Sequence, residues 1–186
     1  MPSLADKVMK NNILILAMAL VFGLSATVFA QNKFVQNPQT TSLQTLGGAS
    51  VNLADSKGKV VVLAIGASWL PLSKQQIITT NKLVKKYAGK DVVIYWITTE
   101  SSNAKSKNYA TDETIKAFAT KNNLSATVLR DSDGAVTLKK YAVDQLPSFV
   151  ILDKTGKQFG TPFGGLDPDN EPEIFNQVSG AIDKLF

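Results

Sequence analysis

Two apolar segments place the strongest constraint on the fold of this chain. Residues 60–65 (VVVLAI) and 92–98 (VVIYWIT) are almost continuously apolar and rich in β-branched side chains, a pattern typical of strands buried on both faces. Between them, apolar residues recur at helical spacing and a glycine follows as a stop signal: Ile77, Ile78, Leu83, Val84, Tyr87 and then Gly89. This strand, helix, strand order predicts two parallel strands at the centre of one sheet.

The remaining segments predict an α/β domain over residues 42–186 without internal repeats. Residues 42–46 and 51–53 flank Gly47-Gly48, a turn signal that predicts a short hairpin. Thr111-Asp112-Glu113 is a typical helix start, with Ile115, Phe118 and Ala119 on its buried side. Further along, the patterns predict a strand at 128–129, a turn at 131–134, a helix at 136–141, a β-hairpin over 147–160 turning at 154–156, and a last helix over 169–186.

The first 30 residues have the pattern of a secretory signal peptide. Lys7 and Lys10 precede an 18-residue apolar stretch that closes on Val28-Phe29-Ala30, a small-residue cleavage pattern. Cleavage there leaves residues 31–41 as a flexible polar lead-in and predicts a periplasmic or secreted protein. The alternative is an uncleaved anchor, because 18 residues lie at the lower limit for a helix that spans a bilayer.

The amino-acid composition excludes several classes of chemistry for this chain. The chain contains no cysteine and no histidine, so its own side chains supply no thiolate, no imidazole and no Cys/His metal ligands. After residue 30, 18 basic and 14 acidic side chains remain, a net charge of +4, and the lysines are dispersed without the basic stripe of nucleic-acid binders. The acidic run Asp167, Asp169, Glu171 and Glu173 suits the start of the last helix. We therefore predict no metal, no cofactor and no nucleic-acid partner.

Two blocks of sequence, GKVVVLAIGASW (58–69) and YAVDQLPSFVILDKTGK (141–157), resemble the thioredoxin superfamily. The similarity is to the branch of exported thiol-disulfide oxidoreductases and redoxins, which includes alkyl hydroperoxide reductase and the thiol-specific antioxidant proteins, and it covers roughly residues 42–186. This resemblance implies a thioredoxin-like α/β sandwich, in which helices flank a central mixed sheet and the domain starts with a β-hairpin.

The loop that carries catalysis in this family has lost its reactive atoms. Relatives have Trp-Cys-x-x-Cys followed by a basic residue, whereas this chain reads Trp69-Leu70-Pro71-Leu72-Ser73-Lys74, so the two cysteine positions hold Leu70 and Ser73. Disulfide exchange needs an attacking thiolate and a resolving thiol, and we predict no catalytic residue here. Ser73 lacks an adjacent base in the motif and is interpreted as a polar residue of the first helical turn.

The positions of the family's proton-handling acids are also changed. Gln76 stands three residues after the second cysteine position, and Ala64 stands six residues before the first. Loss of both thiols together with both acids indicates a retired active site, because a single accidental change would alter one position.

The other half of the family's site is still present in the sequence. Leu146-Pro147-Ser148 resembles the family's cis-proline loop, in which the residue before the proline pairs through its backbone with an extended substrate. By resemblance, Leu146 makes these contacts, and Trp69, Leu70, Leu72 and Pro147 form an apolar floor. The alternatives are that Trp69 is a packing residue and that Leu146-Pro147 is only a turn.

Together these observations predict an exported thioredoxin-like protein without dithiol activity that binds an extended peptide or protein partner non-covalently. The alternative is a redoxin family member that works in redox homeostasis with a cysteine-bearing partner, and a purely structural role is a third reading.

Overall fold

The computed structural model describes residues 41–165, 169 and 171–186. The predicted signal peptide and all of the lead-in except Thr41 lie outside the described residues. Six strands are present: β1 (Ser42–Thr45), β2 (Ser50–Asn52), β3 (Val60–Gly66), β4 (Val92–Thr98), β5 (Thr127–Arg130) and β6 (Ser148–Leu152). The helices are α1 (Pro71–Lys86), α2 (Asp112–Lys121), α3 (Thr137–Lys140) and α4 (Glu171–Asp183), and 3₁₀ turns occupy Leu53–Ser56 and Ser132–Gly134.

The strands form one mixed sheet in the order β2-β1-β5-β4-β3-β6. Strand β4 runs parallel to both β3 and β5, whereas β6 is antiparallel to β3 and β1 is antiparallel to β2 and β5. Val60 lies opposite Val92, and Gly66 lies opposite Thr98. The predicted parallel pair and the predicted hairpin at the start of the domain are therefore confirmed, and the carboxyl ends of β3 and β4 meet at one edge.

Strand β3 separates two hydrophobic cores. Its alternate residues Val60, Val62 and Ala64 belong to a cluster with residues of α1, α2 and α4, whereas Val61, Leu63 and Ile65 belong to a cluster on the opposite face. All seven residues of the strand are buried. Burial on both faces explains why this segment has no polar alternation.

The helices begin and end at residues with clear local signals. Pro71 occupies the first turn of α1, where its missing N–H removes no helical hydrogen bond. The hydroxyl of Thr111 accepts a hydrogen bond from the Thr114 amide and caps α2. Glu171 lies in the first turn of α4, as the acidic run predicted, but it is buried and also pairs with Lys82. Asp167 lies outside the described residues.

The predicted hairpin after Pro147 is wrong in its second arm. Strand β6 and the turn are present, with the Gly156 amide donating to the carbonyl of Asp153, but the returning chain pairs only through isolated bridges at Gln158 and Phe163. Gly160 has a positive φ of 71°, and Pro162 has no N–H to donate to a ladder. These two residues interrupt the second arm.

Two helix boundaries also differ from the prediction. The last helix runs over Glu171–Asp183 instead of 169–186, and the short helix over Thr137–Lys140 instead of 136–141. Among the helices that the structure describes, none is long and apolar enough to cross a bilayer.

Candidate functional site

The loop between β3 and α1, residues 67–70, lies at the carboxyl edge of the parallel strands and is called the Trp69 loop below. Trp69 is 63% exposed, a high value for a tryptophan. Leu70 is the N-cap residue of α1 and makes no side-chain capping hydrogen bond. Leu70 and Leu72 are each half-buried. The loop therefore presents apolar side chains at a helix N-terminus, where the family has its first cysteine.

Ser73, at the second cysteine position, is a buried residue that holds the Trp69 loop. Its side chain has no exposed surface, and its Oγ accepts a hydrogen bond from the Ala67 amide at 3.2 Å. A Cβ added to Gly66 would lie 2.8 Å from this Oγ, so the serine sits closely against the end of β3. This first-turn position agrees with the sequence interpretation, and the contact ties the loop to the helix.

Gln76 has taken over the position of the family's acid as a structural cross-link. Its Nε2 donates to the carbonyls of Ile65 (3.2 Å) and Ser148 (2.8 Å), and its Oε1 accepts from Trp96 Nε1 at 3.1 Å. The residue is fully buried. A carboxylate has no donor for two carbonyls, so the neutral amide suits this site and an ionised acid does not.

The peptide bond between Leu146 and Pro147 is cis, which confirms the cis-proline loop. Pro147 is buried, and a Cβ on Gly66 would lie 3.6 Å from the proline Cβ. The cis-proline loop is therefore packed against the end of β3, beside Ser73 and Gln76.

The side chain and the backbone of Leu146 have different surroundings. Its side chain is partly buried against the hydrophobic cluster that contains Val61, Leu63 and Ile65. Neither its backbone N–H nor its carbonyl forms a hydrogen bond with another described residue. Among the residues that the structure describes, one backbone donor and one backbone acceptor beside the cis-proline therefore have no partner.

Glu100 is a component of the site that sequence reasoning missed. It is 1% exposed, and its Oε1 accepts a hydrogen bond from the Ser68 amide at 2.6 Å. Within residues 41–165, 169 and 171–186, its Oε2 and the hydroxyl of Thr98 are buried without a hydrogen-bond partner. Glu100 is 32 residues from Ser68 in the chain, and the only available signal was an acidic residue shortly after a buried strand.

Asn108 is the second component that was missed. Its Oδ1 accepts from Trp69 Nε1 at 2.7 Å, and its Nδ2 donates to the carbonyl of Thr99 at 2.8 Å. The amide and hydroxyl of Thr99 in turn donate to the carbonyl of Gly66. The segment after β4 therefore supports the Trp69 loop from one side.

Some of the predicted site residues lie close together in the structure, and others have different neighbours. Pro147, Ser73 and Gln76 all approach Gly66. Trp69 is held toward Asn108, and the side chain of Leu146 packs against the cluster that contains Val61, Leu63 and Ile65. No described contact tests whether Trp69, Leu70, Leu72 and Pro147 act as one apolar floor, so this grouping stays a prediction.

A cis-proline loop packed beside a strand-to-helix loop, in a mixed sheet flanked by helices, defines a thioredoxin-like fold. Solved structures agree. A candidate thiol:disulfide interchange protein DsbE from Chlorobium tepidum superposes with a TM-score of 0.61 at 23% identity, covering 76% of this chain and 92% of that chain. A secreted disulfide oxidoreductase of Mycobacterium tuberculosis gives 0.56 at 24% identity, covering 77% and 95%.

The family model described as AhpC/TSA family matches residues 35–157, and the chain belongs to this family. The thioredoxin-like protein YneN of Bacillus subtilis is 32% identical over 115 residues, 62% of each chain. The thiol-disulfide oxidoreductase ResA of Bacillus thuringiensis (strain Al Hakam) is 28% identical over 148 residues, 78% of this chain and 80% of that protein. The chain thus spans about three-fifths of the length of YneN, the first of these relatives.

Proposed function

We propose that this protein is an exported thioredoxin-like binding module that recognises an extended peptide or a partly unfolded protein segment non-covalently. The binding groove comprises Trp69, Leu70, Leu72, Leu146 and Pro147. No cofactor takes part. The partner's backbone pairs with Leu146, and its side chains contact the apolar residues of the Trp69 loop.

The backbone N–H and carbonyl of Leu146, which no other described residue bonds, are the observation that carries this proposal. Strand addition uses a backbone N–H and a backbone carbonyl, and both groups of Leu146, beside the cis-proline, lack a partner among the described residues. This mode of recognition needs no thiol. An extended segment bound there gains main-chain hydrogen bonds that are insensitive to its sequence. Apolar side chains at Trp69 and Leu70 then add contact area.

Export is the second part of the proposal. It is supported by the apolar stretch over residues 13–30 and by a structural neighbour that is described as secreted. Because the chain has no cysteine, an oxidising compartment adds no disulfide to it.

The alternative function follows from family membership. The AhpC/TSA match favours redox work with a partner that supplies the cysteines. Turnover of insulin disulfides, measured with the purified protein alone and together with a cysteine-bearing thioredoxin, distinguishes the two functions. We expect no turnover from the unmodified chain and no acceleration of the thioredoxin. Leu70→Cys combined with Ser73→Cys is the positive control, because it restores both thiols at the loop. Measurable turnover by the unmodified chain would refute the binding-module proposal.

Trapping tests the groove itself. Leu70→Cys places one thiol at the half-buried N-cap position without a resolving partner, so mixed disulfides with bound segments should persist. Ser73→Cys is the matched control, because position 73 has no exposed surface. We expect a small, reproducible set of exported proteins on Leu70→Cys alone. The probe for direct binding is reduced, carboxymethylated ribonuclease A, an unfolded chain without tryptophan, which should change Trp69 emission. No change in emission, with equal capture by both variants, would end the proposal.

A further inference from the structure

Two lysines lie over an exposed aromatic ring at the end of the sheet opposite the Trp69 loop, and two more lie in the neighbouring turn before β3. We call Lys57, Lys59, Lys90, Lys154 and Phe186 the basic patch. The turn before β3 contacts the turn after β6, because the Gly58 amide donates to the carbonyl of Lys154 at 2.8 Å. Val60 at the start of β3 likewise donates to the carbonyl of Asp91. Lysines that are far apart in sequence thus meet where the parallel strands begin.

The ring of Phe186 is fixed and exposed at once. It stacks on Tyr87, with ring centroids 6.2 Å apart and planes 13° from parallel, and yet 55% of the residue is exposed. The Nζ of Lys154 lies 5.0 Å from its centroid, and that of Lys90 lies 5.8 Å away. An apolar ring therefore faces solvent between two ammonium groups.

Among the described residues, none forms an ion pair with a lysine of the basic patch. In the described part of the chain the ion pairs are Lys82–Glu171, Lys86–Asp183 and Arg130–Asp112, and none includes a patch lysine. The neighbouring carboxylates have other partners: Asp183 accepts from Lys86 and Tyr87, and Asp153 accepts from the amides of Thr155 and Lys157. Two carboxylates offset part of the charge: Asp91 directly follows Lys90, and, together with the hydrogen bonds from Lys86 and Tyr87, nearby Lys90 helps to lower the pKa of Asp183.

We propose that the basic patch docks the domain on an anionic phospholipid surface. Lysines attract anionic headgroups while their stems and an aromatic ring occupy the interface, and this combination is typical of proteins that lie on membranes. The patch contains no arginine to grip a phosphate bidentately, so a diffuse charged surface suits it better than one bound phosphate. Because β3 leads from the patch to the Trp69 loop, docking leaves the Trp69 loop facing away from the membrane. This inference does not depend on what the groove binds.

The absence of cysteine allows a site-specific test. Lys184→Cys, beside Phe186, carries a polarity-sensitive fluorophore, and Asn103→Cys in the loop after β4 carries the same label as the positional control. Each labelled full chain is mixed with vesicles of phosphatidylcholine alone or of phosphatidylcholine with phosphatidylglycerol. Using the full chain keeps any vesicle binding by the residues before Thr41 the same in every variant. We expect a blue shift at position 184 with anionic vesicles only, and no shift at position 103.

Charge removal then identifies the residues responsible. Lys90→Gln with Lys154→Gln should weaken the anionic-vesicle response on the order of tenfold, and added salt should do the same. The matched control is Lys105→Gln with Lys107→Gln, two exposed lysines near Asn108, which should leave the response unchanged. Circular dichroism verifies that both double variants are folded.

Several results would overturn the inference. The first is an equal emission shift at position 184 with neutral and with anionic vesicles. The second is an equal weakening of the vesicle response by the two double variants. The third is an equal emission shift with soluble polyphosphate, which would assign the patch to polyanions instead of a membrane.

Discussion

The indole Nε1 of Trp69 donates a 2.7 Å hydrogen bond to Oδ1 of Asn108, across 39 residues of chain. The most exposed aromatic residue next to the candidate groove is therefore held in one orientation by the segment after β4. Asn108 is itself fixed to the carbonyl of Thr99. Holding a binding side chain in place before the partner arrives lowers the entropy lost on binding.

Removing the Asn108 side chain should release Trp69. In Asn108→Ala the indole loses its acceptor, so we expect a stronger acrylamide quenching of Trp69 fluorescence, while Trp96, which is fully buried, stays protected. The cost in unfolding free energy should be about 1 kcal/mol per lost hydrogen bond. Asn108→Asp is the control, because it keeps an acceptor for the indole and loses only the donor to Thr99. Equal quenching in all three proteins would show that the hydrogen bond does not hold the ring.

Returning an acid to position 76 should make stability fall as pH rises. Gln76→Glu places a buried carboxyl against the carbonyls of Ile65 and Ser148, which raises its pKa in the folded protein above the unfolded value of about 4.3. A raised carboxyl pKa means that the folded state holds a proton that the unfolded state has lost. The penalty is therefore small below about pH 4 and grows toward neutral pH.

Urea unfolding of Gln76→Glu at acidic and neutral pH measures this penalty. Gln75→Glu, the same change one position away at a half-buried residue, should show little of this pH dependence. A penalty at position 76 that is independent of pH would contradict the argument.

Glu100 should control the local stability of the Trp69 loop. Its carboxylate is the partner of the Ser68 amide, so Glu100→Ala should speed hydrogen exchange at that amide by about an order of magnitude, the equivalent of one hydrogen bond. Glu100→Gln keeps an acceptor oxygen and should preserve the protection. If Ser68 exchanges no faster in Glu100→Ala than in the unmodified chain, the carboxylate is not what protects this amide.

Asp183 should contribute to stability at neutral pH and lose that contribution in acid. Hydrogen bonds from Lys86, and then from Tyr87, hold the pKa of Asp183 below its ordinary value. A lowered carboxyl pKa stabilises the fold above the unfolded pKa of about 3.9, and this stabilisation is lost as pH falls through the folded pKa.

The difference in unfolding free energy between the unmodified chain and Asp183→Asn tests this directly. It should be largest near neutral pH, shrink below about pH 4 and decrease with salt, since the pair is exposed. Asp144→Asn, an exposed carboxylate without a hydrogen bond to a described residue, should show no such trend. A difference between the unmodified chain and Asp183→Asn that persists unchanged in acid would contradict the prediction.

The fold was predictable because its signals are local. A few residues are enough to predict the structure of three segments: the continuous apolar runs of β3 and β4 and the acidic start of α2. The second arm of the hairpin after β6 was mispredicted because Gly160 and Pro162 act against pairing that the turn alone favours. The absence of thiol chemistry also followed directly from the sequence, because Leu70 and Ser73 occupy the two cysteine positions.

The sequence by itself determined the class of fold, the missing thiols and the cis-proline loop, since each rests on residue types within a short segment. Only the tertiary structure decided what surrounds that loop. Gln76 bridges three strands, Glu100 holds the Ser68 amide and Asn108 holds Trp69, and these contacts span 11 to 72 residues of chain. Hydrogen bonds at such separations depend on how strands are placed side by side, and no local pattern encodes that placement.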